Sequence, residues 1–599
     1  MTKSHRSRLL PSFDSSSTLK RPYRLIVLAA AAAAALSSVS VYSAPSAAAN
    51  VRVTNDNGTT YLSADQLSGG SYSDAVLQRC GHDRRMQNEP TIALDPRNPI
   101  VRTAGSNDYC TVPTAGDAWP GFYRSADAGT TWVDSLLPGY NGDTSTQGTS
   151  SPVHTMVLGG AHAGGDPVQA WDMHGNAFFM GNNFNRGIPD GTSFTSRDNT
   201  GDVWVATYSQ LTAGNTLTDG QKYVRTVILA TNTFGSGSFN DKTGINVDQT
   251  GGAHDGNIYA AWSDFHGFGC NEILLSRSTD HGATFSAPMK ISSSLCNNQG
   301  PNIAIASNGT VYVSWQANGG GSFSNGALNA NGAAFVKSTD GGQTFSMASL
   351  AFTYVPFTSG QFSGNGARDC GDGPFSCPTG QTFPRFDLAQ PSLTVNGTDV
   401  DMAMQVRLAS GQGQIQFSKS TDGGATWSPR TPIDSHPNDG HQFFPWIAAS
   451  GGTINAVYYD SVGDANYAPT RAPCNSATGA GSACLNVRYA VSTDGGTTWT
   501  STQATDTPTN PNYEQFGGRR IPFFGDYIMV GAVGSTIAAV WTDARNVVAG
   551  SEKATGDNDN DDVAGDPETT GGTCTSSFST CFDATGGLDQ NIYTANLSH

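Results

Sequence analysis

One short phrase constrains this chain more than anything else in it. SKSTDGGATW (418–427) recurs as RSADAGTTW (124–132), SRSTDHGATF (276–285), VKSTDGGQTF (336–345) and AVSTDGGTTW (490–499). Each copy follows a β-like run, such as Ala334-Phe335-Val336-Lys337 or Ile415-Gln416-Phe417-Ser418. Ser and Asp bond the local backbone, Gly takes a positive φ, and the closing Trp or Phe packs beneath, so the phrase reads as a hairpin turn. A turn that returns at intervals of roughly 60 to 150 residues marks a repeat architecture.

A second piece lies upstream of each turn: a strand opened by Pro or Gly, a short turn, and a strand ending in an aromatic and often Asp. GPNIAIASNGTVYVSW (300–315), QPSLTVNGTDVDMAMQV (390–406) and FPWIAASGGTINAVYYD (444–460) show it. Each unit is then four antiparallel strands, one blade of a propeller. Five blades carry the intact phrase. DPVQAWDMHGNAFFMGNNF (166–184) with SRDNTGDVW (196–204), read as a degenerate turn, supplies another. FFGDYIMVGAVGSTIAAVWTD (523–543), completed by Gln590–Ala595, supplies the last, and Val51–Thr54 is expected to close it as a fourth strand. The expected fold is an all-β, seven-bladed propeller over residues 50–599, or a six-bladed one if the irregular second unit is an insertion.

Composition narrows the setting. With 71 Gly and 14% charged residues the chain is turn-rich and poor in long helices. A net charge of −17 opposes a nucleic-acid backbone or an anionic membrane as partner. Lys20, Arg21 and Arg24 precede an apolar run from Leu25 to Leu36, and small residues follow through Ala47-Ala48-Ala49. That run is too short to span a bilayer and suits a secretory signal over 1–49, so a secreted or periplasmic monomer without membrane insertion is expected. The ten cysteines fit export: Cys80 and Cys110, Cys270 and Cys296, Cys370 and Cys377, Cys474 and Cys484, Cys574 and Cys581 are sequence neighbours. None has zinc-like C-x-x-C spacing, so disulfides are favoured over metal, with neighbours expected to pair.

Geometry places function at one end. The repeated turns are short and uniform and share one face. The opposite face receives the long links 352–390, 460–485 and 545–589 and every cysteine, the pattern of a binding site built from stapled loops. Residues entering the inner strands should ring the channel mouth there: Arg84, Arg85 and Glu89; Asp166; Asp241 and Lys242; Arg385 and Asp387; His441; and Arg519, Arg520, Asp526 and Tyr527.

Ser-x-Asp-x-Gly-x-Thr-Trp is the Asp-box, or BNR repeat, and on it the chain resembles the sialidase (neuraminidase) superfamily of β-propellers. RRIPFFGDYIMVGAVGSTIAAVWTDAR (519–545) is similar to the start of bacterial sialidases, although here it occupies the last blade. The resemblance implies that Arg520 clamps a substrate carboxylate and that Arg545 contacts substrate, with Arg385 and Arg85 as further substrate-binding candidates. It also implies a Tyr nucleophile activated by a carboxylate, for which Tyr527 and Glu89 are the candidate pair. The ordinary two-carboxylate mechanism would instead draw on Glu89, Asp166, Asp526 or Asp543. The expected activity is a glycoside hydrolase acting on terminal sugars of glycans. The alternatives are a non-catalytic propeller that binds glycan or protein, and a propeller polysaccharide lyase. No cofactor is required on this reading. Asp557, Asp559, Asp561 and Glu568 in TGDNDNDDVAGDPE (555–568) have oxygen-ligand spacing for structural calcium, although Asp562 stands where an EF-hand loop needs Gly.

Overall fold

The structure, a computed structural model, describes residues 44–55, 58–81, 86–111, 118–184, 201–232, 238–266, 270–293, 295–319, 330–355, 390–469, 471, 473–476, 479–480, 482–511, 524–546 and 590–599. Seven antiparallel sheets of four or five strands form the blades. Their innermost strands are Gln87–Leu94, Ala163–Trp171, Ser238–Val247, Asn298–Ile305, Ser392–Asn396, Gln442–Ser450 and Met529–Val533. Each inner strand lies against the next, and Met529–Val533 returns to Gln87–Leu94, so the ring closes.

The last blade is completed from the other end of the chain. Val51 pairs with Thr594 and Arg52 with Tyr593, and Ser46–Ala47 continues along Leu597 and Ser598. The paired segment thus begins ahead of Asn50. This closure protects an edge that would otherwise present unpaired backbone groups.

The repeated turns explain themselves locally. In the fourth blade Ser338 Oγ donates to Asp340 Oδ1 (2.7 Å) and accepts from the Gly342 amide (2.9 Å), while Asp340 accepts from the Thr344 amide (3.0 Å) and hydroxyl (2.6 Å). The same set recurs at Ser125/Asp127, Ser278/Asp280, Ser420/Asp422 and Ser492/Asp494. Between blades the core is aromatic: Trp119, Trp171, Trp204, Trp262, Trp315 and Trp541 are all fully buried. Each contributes roughly 2–3 kcal/mol by leaving water.

The second blade corrects the sequence reading. Gly201–Ser209 is its third strand, pairing with Ala177–Phe184 from Phe184↔Gly201 onward. The end of SRDNTGDVW, Gly201–Trp204, therefore lies in the third strand itself, ahead of the turn between strands three and four. That turn is the longer segment 210–221, which carries a 3₁₀ turn at Thr216–Thr218. An Asp three residues before a Gly mimicked the motif, but Gly201 opens a strand here.

Three disulfides join sequence neighbours: Cys80–Cys110, Cys270–Cys296 and Cys474–Cys484. All six cysteines sit at the ends of blades opposite the repeated turns. Cys370, Cys377, Cys574 and Cys581 lie outside the described residues. Among the described residues, no helix is long and apolar enough to cross a membrane.

Candidate active site at the channel mouth

Five of the seven inner strands enter the channel through the same backbone device. Ladder register slips between Asn88 and Thr91, Gly165 and Val168, Asp241 and Thr243, Gln299 and Asn302, and Phe443 and Trp446. The residue at each bulge takes a positive φ: Glu89 (54°), Asp166 (49°), Lys242 (49°), Gly300 (72°) and Phe444 (53°). Pro follows at four of the five, which suits a point where an amide cannot join the ladder. The bulge amide is satisfied from the preceding blade. Asn107 Oδ1 accepts from Asp166 N (3.1 Å), Asp166 Oδ2 from Lys242 N (3.0 Å), Ser263 Oγ from Gly300 N (3.0 Å) and Gln405 Oε1 from Phe444 N (3.1 Å).

Three charged bulge residues and Asp526 converge. Lys242 Nζ lies 2.6 Å from Asp526 Oδ2, 3.0 Å from Asp166 Oδ1 and 3.5 Å from Glu89 Oε1. Glu89 Oε2 accepts from Asn107 Nδ2 at 2.8 Å, and Asn182 Nδ2 bridges Asp241 Oδ1 (3.1 Å) and Asp166 Oδ2 (3.4 Å). The carboxyls of Glu89 and Asp241 both lie against that of Asp166. The blades contributing are the first, second, third and seventh, which adjoin around the ring. Gly525 (φ 81°) makes the seventh fit, because a Cβ there would lie 2.7 Å from the Glu89 amide.

Burial and charge push these carboxyls apart. Burial alone would raise Asp166, but the Lys242 ammonium and its hydrogen bonds outweigh this and hold it well below the usual carboxylate range. Glu89 is raised well above its ordinary value by burial, and repulsion from Asp166 and Asp526 adds to this against the pull of Lys242. Asp241 is raised well above its own, again by burial first and Asp166 second. Lys242 loses to burial but gains more from its four acidic neighbours, so it stays charged. The carboxyls are thus pushed in opposite directions, the separation that acid–base chemistry draws on.

The other candidates take different places. The Tyr527 hydroxyl donates to the Pro167 carbonyl at 3.1 Å, and burial followed by the charge on Glu89 raises its pKa well above the usual value. Asp543 accepts from Arg545 Nε (3.0 Å), Arg545 Nη2 (2.7 Å) and Trp541 Nε1 (3.0 Å). Arg545 also bonds Asp506 and Asn50 and stacks over Tyr593, so this pair ties blade seven to the N-terminal segment. His441 is fully buried, accepts from the Gly413 amide at Nδ1 (3.0 Å) and is pushed down to about 4 by burial. Arg84, Arg85, Arg385, Asp387, Arg519, Arg520 and the acidic loop with Asp557, Asp559, Asp561 and Glu568 lie outside the described residues.

Sequence reasoning put Asp241 and Lys242 at the mouth without assigning them a role, and it missed Asn107 and Asn182. Their signal was the recurrence of polar residues near the ends of second strands, in GSND (105–108) and MGNN (180–183). Below the cluster the channel changes character. A cavity of about 730 Å³ is walled by Ile92, Val168, Ile245, Ile303, Val395, Trp446 and Met529 among others, with no titratable side chain among its lining.

Fold and site together define a seven-bladed β-propeller with a buried acid–base cluster at one end of its channel. No protein-family model matches the sequence, and no curated protein matches it. Solved structures to which it is similar include a Trypanosoma rangeli sialidase in complex with sialic acid (12% identity, 84% of this chain and 70% of that one, TM-score 0.39). A Fusarium graminearum α-L-arabinofuranosidase in complex with an iminosugar inhibitor is another (11% identity, 69% and 92%, TM-score 0.38). A Hadza microbial sialidase is a third (13% identity, 63% and 65%, TM-score 0.36); there the chain spans slightly less than two thirds of its neighbour.

Proposed function

We propose that the protein is a secreted glycoside hydrolase that cleaves terminal sugars from glycans at the Glu89–Asp166–Lys242 cluster. One observation carries this reading: Glu89 and Asp166 meet at one buried ammonium, Lys242 Nζ lying 3.5 Å from Glu89 and 3.0 Å from Asp166, while burial pushes Glu89 up and Lys242 pulls Asp166 down. Glu89 would protonate the departing glycosidic oxygen. Asp166 or Asp526 would serve the other face of the sugar as nucleophile or base. The hydrogen bond from Tyr527 to Pro167 favours this two-carboxylate chemistry over a tyrosine nucleophile. Sialosides and arabinosides belong among the substrates tried first.

The test is a panel of fluorogenic glycosides with wild type, Asp166→Asn and Tyr527→Phe. Turnover by wild type that Asp166→Asn loses and Tyr527→Phe keeps supports the reading. Loss in Tyr527→Phe alone moves the chemistry to the tyrosine.

A second reading has its own observation. Glu89, Asp166, Asp526 and Lys242 are all nearly closed off, Lys242 being the most exposed of the four at 8%, and only Asp241 at their edge is half-buried. On that reading the cluster is a polar plug that locks four blades together, and the face binds glycan or protein without turnover. Wild type inactive on the whole panel, with glycan binding retained, would favour it.

A further inference from the structure

The face of the repeated turns holds a separate cluster of metal-ligating side chains. Asp172 and His174 lie in the turn between the first two strands of blade two, and His281 lies in the repeated turn of blade three. We propose that Asp172, His174 and His281 bind a divalent transition ion of the zinc class, which staples blade two to blade three.

One ligand atom from each of these residues falls within 4.8 Å of the others. His281 Nδ1 is 3.4 Å and His174 Nδ1 3.8 Å from Asp172 Oδ2, and the two rings meet edge to face with centroids 4.8 Å apart. Ligands on one tetrahedral zinc at its usual ~2.0–2.1 Å bond lengths stand about 3.3 Å apart, so small rotations of exposed side chains close the site. The carboxylate is the fixed member. Asp172 is fully buried, its Oδ1 accepts from the His174 and Asn176 amides (2.8 and 2.9 Å), and Asn176 Nδ2 holds Oδ2 at 2.7 Å. Such outer hydrogen bonds orient a ligand before metal arrives. The imidazoles are the mobile members, with His174 59% and His281 48% exposed.

A second observation points the same way. The position of His281 is glycine in three other turns, Gly341, Gly423 and Gly495, with φ of 67–68°, and alanine in the fourth, Ala128. His281 adopts φ 54° at a cost of about 1 kcal/mol or more. The turn gains nothing in return, because Ser278, Asp280, Gly282 and Thr284 make the same bonds as their counterparts. Two imidazoles with one carboxylate suit zinc, copper(II) or nickel, whereas calcium and magnesium prefer oxygen alone.

Zinc is the probe, titrated by calorimetry into chelator-stripped, tag-free protein in millimolar Ca²⁺ to saturate oxygen-ligand sites. Wild type, His281→Gly and His174→Ala are compared. The expected result is one equivalent of zinc on wild type, a zinc-dependent rise in Tm, and loss of both in each variant. His281→Gly should melt without zinc at or above the wild-type temperature, since it restores the glycine of its sister turns. Zinc uptake and Tm response that are equal in all three proteins, or no zinc uptake by wild type at micromolar concentrations, would overturn the proposal.

Discussion

The channel mouth has two sides that share a backbone and differ in chemistry. On one side Glu89, Asp166 and Lys242 occupy successive bulges and Asp526 joins them from the neighbouring blade. On the other side the bulges hold Gly300 and Phe444, and the amides are satisfied by Ser263 and Gln405 without any charge. The bulge is therefore what the scaffold requires, and glycine meets that requirement without strain. The charged residues are an addition, held at positive φ at a cost of about 1 kcal/mol or more each. Phe444 on the plain side is held at φ 53° as well, so it is the buried charge, not the strain, that marks the side where chemistry is expected.

Removing the cation tests this difference most severely. Lys242→Met leaves Asp166 and Asp526 buried without their counter-ion, and should cost about 3–5 kcal/mol in urea unfolding at pH 7. The deficit should shrink as pH falls toward 4, where the stranded carboxylates take up protons. A cost below about 1 kcal/mol would mean that the ammonium does not hold the cluster together.

Blade five also buries a carboxyl, near its repeated-turn end, and it shifts in the opposite direction to Asp166. Asp401, in the second strand of blade five, is 1% exposed and is pushed up to about 7, by burial first and by Asp399 second, against a weaker pull from Lys419. A raised pKa means that its stability contribution is complete below about pH 4 and is lost as pH rises through 7. Asp401→Asn should leave stability unchanged at pH 4 and raise it at pH 8 by roughly 2–4 kcal/mol. Equal stabilities of variant and wild type at pH 8 would show that the carboxylate has found a partner.

The smallest effect belongs to the far end of the molecule. Ser338→Ala removes one donor to Asp340 and one acceptor for the Gly342 amide, and should cost about 1 kcal/mol. Activity should not change, because the turn lies on the face opposite the cluster. Loss of turnover at undiminished stability would undo the division of labour between the two faces.

How far the sequence reaches follows from how local each feature is. The repeated turn is contained in eight residues, so five blades and their orientation could be read directly. Blade two could not, because its third-to-fourth connection lacks the Ser-x-Asp-x-Gly spacing and a chance Asp-Asn-Thr-Gly stood nearby. The three cysteine pairs on described residues joined sequence neighbours as expected, since the members of each pair meet at the same end of the blades. The cluster was only half legible. Glu89, Asp166 and Asp526 could be placed at the mouth from their strand-entry positions, but nothing in the spacing says that Lys242 reaches all three. That depends on the order of blades around a closed ring. Asp543 and Arg545 were attractive as a motif, yet they satisfy each other two residues apart and are spent in closing blade seven.

The central claim, that the charged bulges carry chemistry while the plain ones carry only the fold, has a direct measurement. It is kcat on the best fluorogenic glycoside for Glu89→Gln and Phe444→Leu, two changes at the same bulge on opposite sides of the mouth. Both proteins would first be shown to be folded by circular dichroism. The prediction is a fall of about 10²- to 10⁴-fold for Glu89→Gln, the usual worth of a general acid, and less than tenfold for Phe444→Leu. Equal activities in the two variants would contradict the account.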